Sequence, residues 1–509
     1  MVIERTKNAT RNVVFSGMSQ MIYILVPFIM RSIILNFLGV EYLGLSGLFR
    51  SILSILNLAE LGVGSAMVFS MYKPIAEDDT ETICVLMKMY RLFYRIIGLV
   101  ILSIGLVLTP FLPHLIDGEV TADVNLYVLY FMSLGSTVLS YWLFAYKNCL
   151  LSAHQRGDIA SKVAMIVHLI EYALKILVLI LFRNYYLYLV IQIVAQATVN
   201  IMIALRVNKI FPNYSPRGEI PKEQLLAIAT RVRDLFTSYF SFVISTAADT
   251  LVISSFLGLK VLAIYQNYYF IITSLKTMIE VIVGACIAGI GNSLVTESPE
   301  KNYKDLKKMT MLFGWLMSIS GAMLLCMYQP FMQIWMGEAN MLEMEYVICF
   351  VVYFYSIGMN LLLTMFKDAA GIWKIDKWRP LTAALVNLAL NLATVKWLGL
   401  YGVLLSTVIS IVFIQIPWVI YNLFRAVFPH EHMWEYVRMF CGIVVVELIC
   451  CVSSWFACSW IDLGVWPTLI INAVISFAIP NIIFFAVFGR NESFKESVAQ
   501  IKRVVLRRK

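Results

Sequence analysis

The sequence predicts an all-α polytopic membrane protein with 14 transmembrane helices, and three observations support this fold class. Of its 509 residues, 60% are apolar and only 14% are charged, with a mean hydropathy of +0.80, whereas soluble proteins carry about 25% charged residues. Apolar segments of about 20 residues, the length that crosses a bilayer, recur along the whole chain. The basic residues fall almost entirely in every second connection between these segments.

The apolar segments are expected to be helices, because backbone polar groups inside a bilayer find partners only in a helix or a closed barrel. The predicted spans of the first half are Val13–Phe37, Leu43–Met71, Arg95–Leu115, Val124–Tyr146, Gly157–Phe182 and Tyr186–Leu205. Those of the second half are Val232–Phe256, Leu262–Val295, Met309–Trp335, Tyr346–Phe366, Lys377–Lys396 and Tyr401–Phe424, followed by Met439–Trp460 and Pro467–Phe488. The connections are short, so the sequence leaves no room for a soluble catalytic domain, and we expect no enzymatic activity.

The side preference of the charged residues predicts the orientation. Basic residues fill the first segment and the last, with Arg5, Lys7 and Arg11 at one end and Arg508 and Lys509 at the other. Acidic residues dominate the alternate connections, which hold Glu41, Asp117, Glu119, Asp123, Glu338, Glu343, Glu345 and Asp462. Because basic connections stay in the cytoplasm, both termini are predicted to be cytoplasmic. The net charge of +9 then indicates anionic lipid headgroups as partners, and no nucleic-acid partner is expected.

The chain contains an internal repeat, in which a Leu-Gly turn opens a long helix. The turn occurs at Leu38-Gly39 and again at Leu257-Gly258. Each half has six predicted spans, so both lobes start on the same side, which predicts parallel repeats about a pseudo-two-fold axis along the membrane normal. The predicted regions are an N-terminal lobe (1–206), a cytoplasmic amphipathic linker (207–231), a C-terminal lobe (232–425), two further helices (426–488) and a basic cytoplasmic tail (489–509).

Charged residues inside the spans are the candidate functional residues, because each costs roughly 2.5–3.5 kcal/mol at the bilayer centre. They are Arg31, Arg50, Glu60, Glu171, Lys175, Asp249, Lys276, Glu280 and Glu447. Arg31 lies about 9 Å below the outer end of the first span, Arg50 lies at a similar depth in the second, and Lys276 lies near the middle of the eighth. These three are predicted to form an anion site between the lobes. Two guanidinium groups favour phosphate, whose oxygens match their planar fork.

The other intramembrane charges suggest pairing, gating or ion coupling. Asp249 lies at the depth of Arg31 on the first helix of the opposite lobe, so the two are predicted to close an outer gate. Glu60 and Glu280 lie within one residue of equivalence in the repeat, and either is a candidate for coupling to H⁺ or Na⁺. Lys276 also has Glu280 one turn along, a spacing at which opposite charges form a structural pair.

Glu171 and Lys175 have the same favourable spacing for a salt bridge within one helix.

The nine cysteines show no CxxC spacing and no nucleotide-binding GxxxxGK[ST] motif occurs, so neither a metal nor another cofactor is expected.

Three segments carry a resemblance to a known family: Leu38–Leu45, Asn57–Gly62 and Tyr72–Glu77. They resemble the polysaccharide repeat-unit (Wzx-type) flippases of the multidrug/oligosaccharidyl-lipid/polysaccharide exporter superfamily. The resemblance implies two six-helix lobes in a V shape. It also implies movement of an undecaprenyl-pyrophosphate-linked oligosaccharide to the outer leaflet of a bacterial cytoplasmic membrane by alternating access.

The resemblance also bears on the site and the partners. The related lipid II flippases have basic residues on their first, second and eighth helices, which here carry Arg31, Arg50 and Lys276. Their last two helices form a groove for the lipid tail. The implied partners are the lipid-linked oligosaccharide, membrane lipids, H⁺ or Na⁺ as coupling ion, and the polysaccharide polymerase machinery.

Two alternative functions remain open from the sequence. A cation-coupled multidrug antiporter of the same superfamily has the same fold. Its cationic substrates require acidic residues in the cavity, and the single acidic residue Asp249 does not outweigh the two basic residues Arg31 and Arg50. A membrane enzyme that polymerises or ligates glycans needs a large outer loop, and the outer connections here are short.

Overall fold

The computed structural model describes residues 5–60, 63–117, 125–219, 222–461, 463–496 and 498–499. Within these residues the chain is helical almost throughout and contains no strand. Contacts between helices divide it into two compact units, Met1–Ala263 and Ile264–Lys509. Glu119, Asp123, Asp462 and the end of the predicted basic tail lie outside the described residues.

Within the described residues, the first unit contains eight α-helices and the first part of a ninth. They are α1 (Arg5–Phe37), α2 (Val40–Leu56), α3 (Val63–Ala76), α4 (Thr80–Leu108), α5 (Leu126–Trp142), α6 (Asn148–Ala153), α7 (Gly157–Phe182), α8 (Tyr185–Ile210) and α9 (Lys222–Thr296). The boundary between the units lies within α9. The second unit continues with α10 (Pro299–Met336), α11 (Met344–Ala369), α12 (Trp373–Asp376), α13 (Trp378–Ser410), α14 (Ile416–Ala426), α15 (Met433–Ser459) and α16 (Val465–Phe488).

The chain is a multi-pass membrane protein, as its apolar helices show. Within the described residues ten helices are long and apolar enough to cross a bilayer, or eleven if the bent pair Leu126–Trp142 and Ala145–Ala153 forms one span. The predicted seventh and eighth spans lie in α9, which is broken at Gly258, and the eleventh and twelfth lie in the stretch Trp373–Ala426, which is broken at Gly399. The exact count of 14 therefore remains a prediction.

Two predicted spans contain breaks that hydropathy does not reveal. The second is divided into α2 and α3, with a 3₁₀ turn at Asn57–Glu60 between them. The fourth bends by 44° after Trp142, where Phe144 has a left-handed backbone with φ 58°. Apolar residues continue on both sides of each break, so composition alone predicts one uninterrupted span at each place.

The two Leu-Gly turns of the repeat have the same backbone conformation. Gly39 has φ 118° and ψ 171°, and Gly258 has φ 83° and ψ 172°, a region that is essentially restricted to glycine. The turns also lie close together within the first unit, because a Cβ atom on Gly44 would press against the carbonyl oxygen of Leu259. The Asp117 amide donates a hydrogen bond to the Ser254 carbonyl oxygen at 2.8 Å, which fixes a third connection beside them.

In the second unit, α10 packs against both α15 and α16. Their shared core contains Met311, Ile443, Val446, Cys450, Phe484 and Phe494. Phe494 follows α16, so the first residues of the predicted tail are docked on the helices. Lys308 Nζ lies 2.6 Å from Glu496 Oε2, and this hydrogen bond lowers the pKa of the Glu496 carboxyl.

Candidate functional site

Arg31 and Arg50 lie near each other in the first unit, on α1 and α2. Arg31 is half-buried and Arg50 is exposed, and the two charges interact electrostatically. Arg31 also interacts with Tyr188, and Arg50 with Tyr185, both on α8. The two guanidinium groups therefore share a region bordered by tyrosine hydroxyls. No hydrogen bond or ion pair to Arg50 is present in the part of the chain that the structure describes, which leaves its fork available to an anion.

A buried ionic cluster on α7 lies beside the two arginines. Lys175 Nζ is 2.6 Å from Glu171 Oε1, which confirms the salt bridge predicted from their spacing. His168 Nδ1 is 2.7 Å from the other carboxylate oxygen of Glu171, a contact that the sequence analysis missed although the spacing of three residues allows it. The Lys175 ammonium lies 4.3 Å from the centre of the Tyr188 ring, so Tyr188 connects this cluster to Arg31.

Glu60 lies in a separate network of tyrosines. Tyr94 donates to Glu60 Oε1 at 2.7 Å and Tyr141 donates to Oε2 at 3.0 Å. Tyr90 in turn donates to the Tyr94 hydroxyl at 2.5 Å. Glu60 ends the 3₁₀ turn between α2 and α3, so the break in the second span is what places its carboxylate among α4 and α5. Its coupling role remains a prediction.

Lys276 and Glu280 form a pair in the second unit. The ammonium and carboxylate are 3.2 Å apart, so the structural pairing left open by the sequence is present. Lys276 is half-buried and Glu280 is exposed. An anion bound by Lys276 would have to compete with this carboxylate, and the roles of both residues remain predictions.

Asp249 is buried, with 8% of its surface exposed. It lies on α9 within the first unit, the unit that also contains Arg31. The predicted gate between Arg31 and Asp249 remains a prediction.

Glu447 on α15 is also buried, and its surroundings are nearly all apolar. Ser318 on α10 donates a hydrogen bond to Oε2 at 3.3 Å, while Oε1 has no partner among the described residues. The carboxylate faces Gly321 of α10, where a Cβ atom would come within 2.7 Å of Oε1. Gly321 thus provides the space that a buried carboxyl group needs between two packed helices.

A buried ion pair at Asp376 and Arg379 was not identified from the sequence. Arg379 binds both carboxylate oxygens of Asp376, each at 2.7 Å, and Asn422 donates to the same carboxylate at 2.9 Å. Both charged side chains are nearly inaccessible, with exposed fractions of 3% and 2%. Arg379 lies at the start of the predicted span Lys377–Lys396, and its pair with Asp376 joins α12 and α13 to α14.

Comparison with known protein families shows the family to which the chain belongs. Residues 9–288 match the family described as polysaccharide biosynthesis protein. The chain belongs to this family. No curated protein matches the sequence.

Solved structures show that this member of the family has the fold of known transporters. The lipid II flippase MurJ in its inward closed conformation aligns with 94% of this chain and 99% of its own at a TM-score of 0.67 and 13% identity. An inward-facing multidrug resistance MATE family transporter of the MOP superfamily aligns with 80% of this chain and 94% of its own, at a TM-score of 0.60 and 17% identity.

A MOP superfamily transporter from Pyrococcus furiosus aligns with 84% of this chain and 96% of its own, at a TM-score of 0.54 and 15% identity. At these identities the similarity shows the fold alone. The alignment with the lipid II flippase extends over almost the full length of both chains.

Proposed function

We propose that this protein is a flippase that moves undecaprenyl-pyrophosphate-linked oligosaccharide repeat units from the inner to the outer leaflet of the bacterial cytoplasmic membrane. The family of polysaccharide biosynthesis proteins and the fold of a lipid II flippase support this class. The observation that carries the proposal is the proximity of Arg31 and Arg50 in an apolar unit. Two adjacent guanidinium groups repel each other, and a bound pyrophosphate relieves that repulsion while its oxygens accept their hydrogen bonds.

The proposed mechanism is alternating access. The pyrophosphate and its sugars enter from the cytoplasmic side while the polyprenyl tail stays in the bilayer. Arg31 and Arg50, with Lys276 after it exchanges Glu280 for the substrate, replace the water lost by the pyrophosphate. The lobes then rock and the head group leaves on the outer side. The proposed gate between Arg31 and Asp249 opens when the pyrophosphate competes for Arg31.

The membrane potential is a sufficient source of energy for this step, and coupling to H⁺ or Na⁺ through Glu60 or Glu280 is the alternative. Two uncompensated negative charges that move outward across 100 mV release about 4.6 kcal/mol. No covalent bond changes during the transfer, so no cofactor is required. Once outside, the repeat unit becomes available to the polysaccharide polymerase machinery.

Reconstitution tests the proposal directly. Liposomes contain the purified protein and a fluorescent undecaprenyl-pyrophosphate oligosaccharide, and a membrane-impermeant reductant destroys the fluorophores of the outer leaflet only. In empty liposomes about half of the fluorescence should persist, whereas the active protein should expose the remainder. Arg50→Ala should slow this phase at least tenfold, and Arg95→Ala, an exposed arginine on α4, is the matched control. Persistence of the protected half with the wild-type protein would exclude the proposed function.

A further inference from the structure

A polar cavity lies inside the first unit, and neither Arg31 nor Arg50 is among the residues that line it. It has a volume of about 620 Å³ and opens between α3, α4, α6 and α8. This volume is in the usual range for sites that bind small molecules. None of the described residues that line it carries a charge. The lining includes the side chains of Phe69, Tyr72, Phe144, Asn148, Ser152 and Asn200.

Aromatic rings form one side of the cavity. Phe69 and Tyr72 meet edge to face with their centres 6.1 Å apart, and 60% and 48% of their surfaces are exposed. Phe144 presents a third ring from the bend after α5, where its backbone is left-handed. For a residue with a Cβ atom this conformation costs of order 1–2 kcal/mol, and such strain clusters at ligand sites.

Hydrogen-bonding groups form the other side. Asn148 and Ser152 lie one turn apart on α6, so both project from the same face. Both are exposed, and neither side chain makes a hydrogen bond within the described ranges of the chain. Tyr90 donates its hydroxyl proton to Tyr94, which donates to Glu60. The Tyr90 oxygen is therefore left as an acceptor at the cavity wall.

This lining selects among the parts of an amphipathic glycolipid. A pyrophosphate requires cationic partners, and the lining has none. An isoprenoid tail would leave the amide and hydroxyl groups without hydrogen bonds, which costs about 1–3 kcal/mol per buried group. A sugar ring fits both sides, because its C–H faces stack on aromatic rings while its hydroxyls donate to and accept from amide and hydroxyl groups.

We propose that this cavity binds an uncharged sugar ring of the saccharide, whereas Arg31 and Arg50 bind the pyrophosphate. The assignment of the saccharide to the transported lipid rests on the proposed function. The cavity adjoins the ends of α3 and α4 that carry the basic residues Lys73 and Lys88. By the distribution of basic residues this is the cytoplasmic side, where lipid-linked saccharides are assembled.

The test measures binding of a saccharide without its lipid to the full-length protein in detergent. The probe is the neutral oligosaccharide that mild acid releases from the lipid-linked intermediates accumulating in cells that lack this protein. Its affinity is measured by calorimetry, and inorganic pyrophosphate is titrated in parallel. Tyr72→Ala and Asn148→Ala should each weaken saccharide binding about tenfold, which corresponds to roughly 1.4 kcal/mol, while pyrophosphate affinity stays unchanged.

Two controls keep the result specific. Tyr72→Phe preserves the ring and removes only the hydroxyl. Its saccharide affinity should remain within about twofold of the wild type, because the ring makes the proposed stacking contact. Thr198→Ala removes a hydroxyl that, among the described residues, bonds to the Val194 carbonyl of its own helix, and it should have no effect. Arg50→Ala should reverse the pattern, with pyrophosphate binding lost and saccharide binding retained.

The outcomes separate this inference from the proposed function. Failure of the wild-type protein to bind the saccharide at millimolar concentration, or equal binding by Tyr72→Ala and Asn148→Ala, overturns the sugar site even when liposomes show translocation. A lack of translocation in liposomes, with saccharide binding that still depends on Tyr72, overturns the flippase and leaves a carbohydrate site. An absence of lipid-linked intermediates in the deletion strain counts against the flippase alone. Saccharide binding is then tested with the neutral sugars of the cell's surface polysaccharide, against the same two variants.

Discussion

At the scale of single residues, the basic side chains predicted to share one role have different surroundings. Lys276 has a carboxylate partner 3.2 Å away in Glu280, whereas Arg50 is exposed and interacts with another cation and with tyrosines. A cation that already has a partner gains less from binding an anion than one that has none. The contribution of the three residues to substrate binding should therefore be unequal.

Arg50→Ala should abolish export of surface polysaccharide, and Arg50→Lys should restore only part of it, because an ammonium lacks the bidentate fork. Lys276→Ala should have a smaller effect, since Glu280 already neutralises that charge. The measurement is cell-surface polysaccharide at matched protein levels in the membrane. Equal loss in Arg50→Ala and Lys276→Ala would show that the pairing with Glu280 does not weaken the role of Lys276.

The space at Gly321 gives a prediction for stability. A methyl group there would come within 2.7 Å of Glu447 Oε1, and overpacking of this kind costs about 1–3 kcal/mol. Gly321→Ala should therefore lower the melting temperature of the purified protein. The double variant Gly321→Ala with Glu447→Ala should recover part of that loss, and a double-mutant cycle measures the coupling. Additive losses would mean that the carboxylate does not occupy the space beside Gly321.

The sequence predicts residue contacts when they are local and misses them when they are not. The pair Glu171–Lys175 follows from a spacing of four residues on one helix. The partners of Glu60 are 34 and 81 residues away along the chain, and the helix break that directs Glu60 toward them has no signature in hydropathy. Likewise, the sequence does not indicate that Asn422, 46 residues away along the chain, donates to Asp376, the partner of Arg379.

At the scale of secondary-structure elements, the repeat seen in the sequence is also present in the backbone. Gly39 and Gly258 occupy the same glycine-specific region, so the shared Leu-Gly letters correspond to a shared turn. The non-helical conformation of Gly258 breaks α9 into two consecutive helical segments at this turn.

The close contact between the turns predicts the effect of a larger side chain at Gly44. Gly44→Leu should separate the two turns, because no Cβ fits against the Leu259 carbonyl. In a cysteine-depleted background, a cysteine placed at the buried Ala263 should then react faster with a membrane-impermeant maleimide. Gly135→Leu is the control, since a side chain there meets open space. Unchanged labelling in Gly44→Leu would show that the contact between the two turns does not limit access of the maleimide to position 263.

At the scale of the whole molecule, the charge distribution predicts an orientation. A reporter that is active only outside should be inactive when fused after Lys304 and active when fused after Glu343, because basic connections remain in the cytoplasm. Fusions after Arg217 and Asp117 test the first unit in the same way. Outside activity after Lys304 would mean that the spans of the second unit are miscounted, whereas outside activity after Arg217 would reverse the side assigned to the sugar cavity.

The same orientation predicts how translocation responds to voltage. A pyrophosphate carries negative charge outward, and a negative interior repels it. The potential should therefore favour outward transfer by up to about 4.6 kcal/mol of free energy per 100 mV for two uncompensated charges, and transfer should be faster. Arg31 and Arg50 reduce this effect if they move with the substrate, because their charges offset those of the pyrophosphate. Liposomes with a potassium gradient and valinomycin set the potential in either direction at constant pH and sodium. Faster transfer with a negative interior, in the absence of any ion gradient other than potassium, supports the potential as the driving force. A transfer rate that is independent of the potential and increases with an imposed proton or sodium gradient would show that ion coupling supplies the energy. The variants Glu60→Gln and Glu280→Gln would then identify the carboxylate that binds the coupling ion.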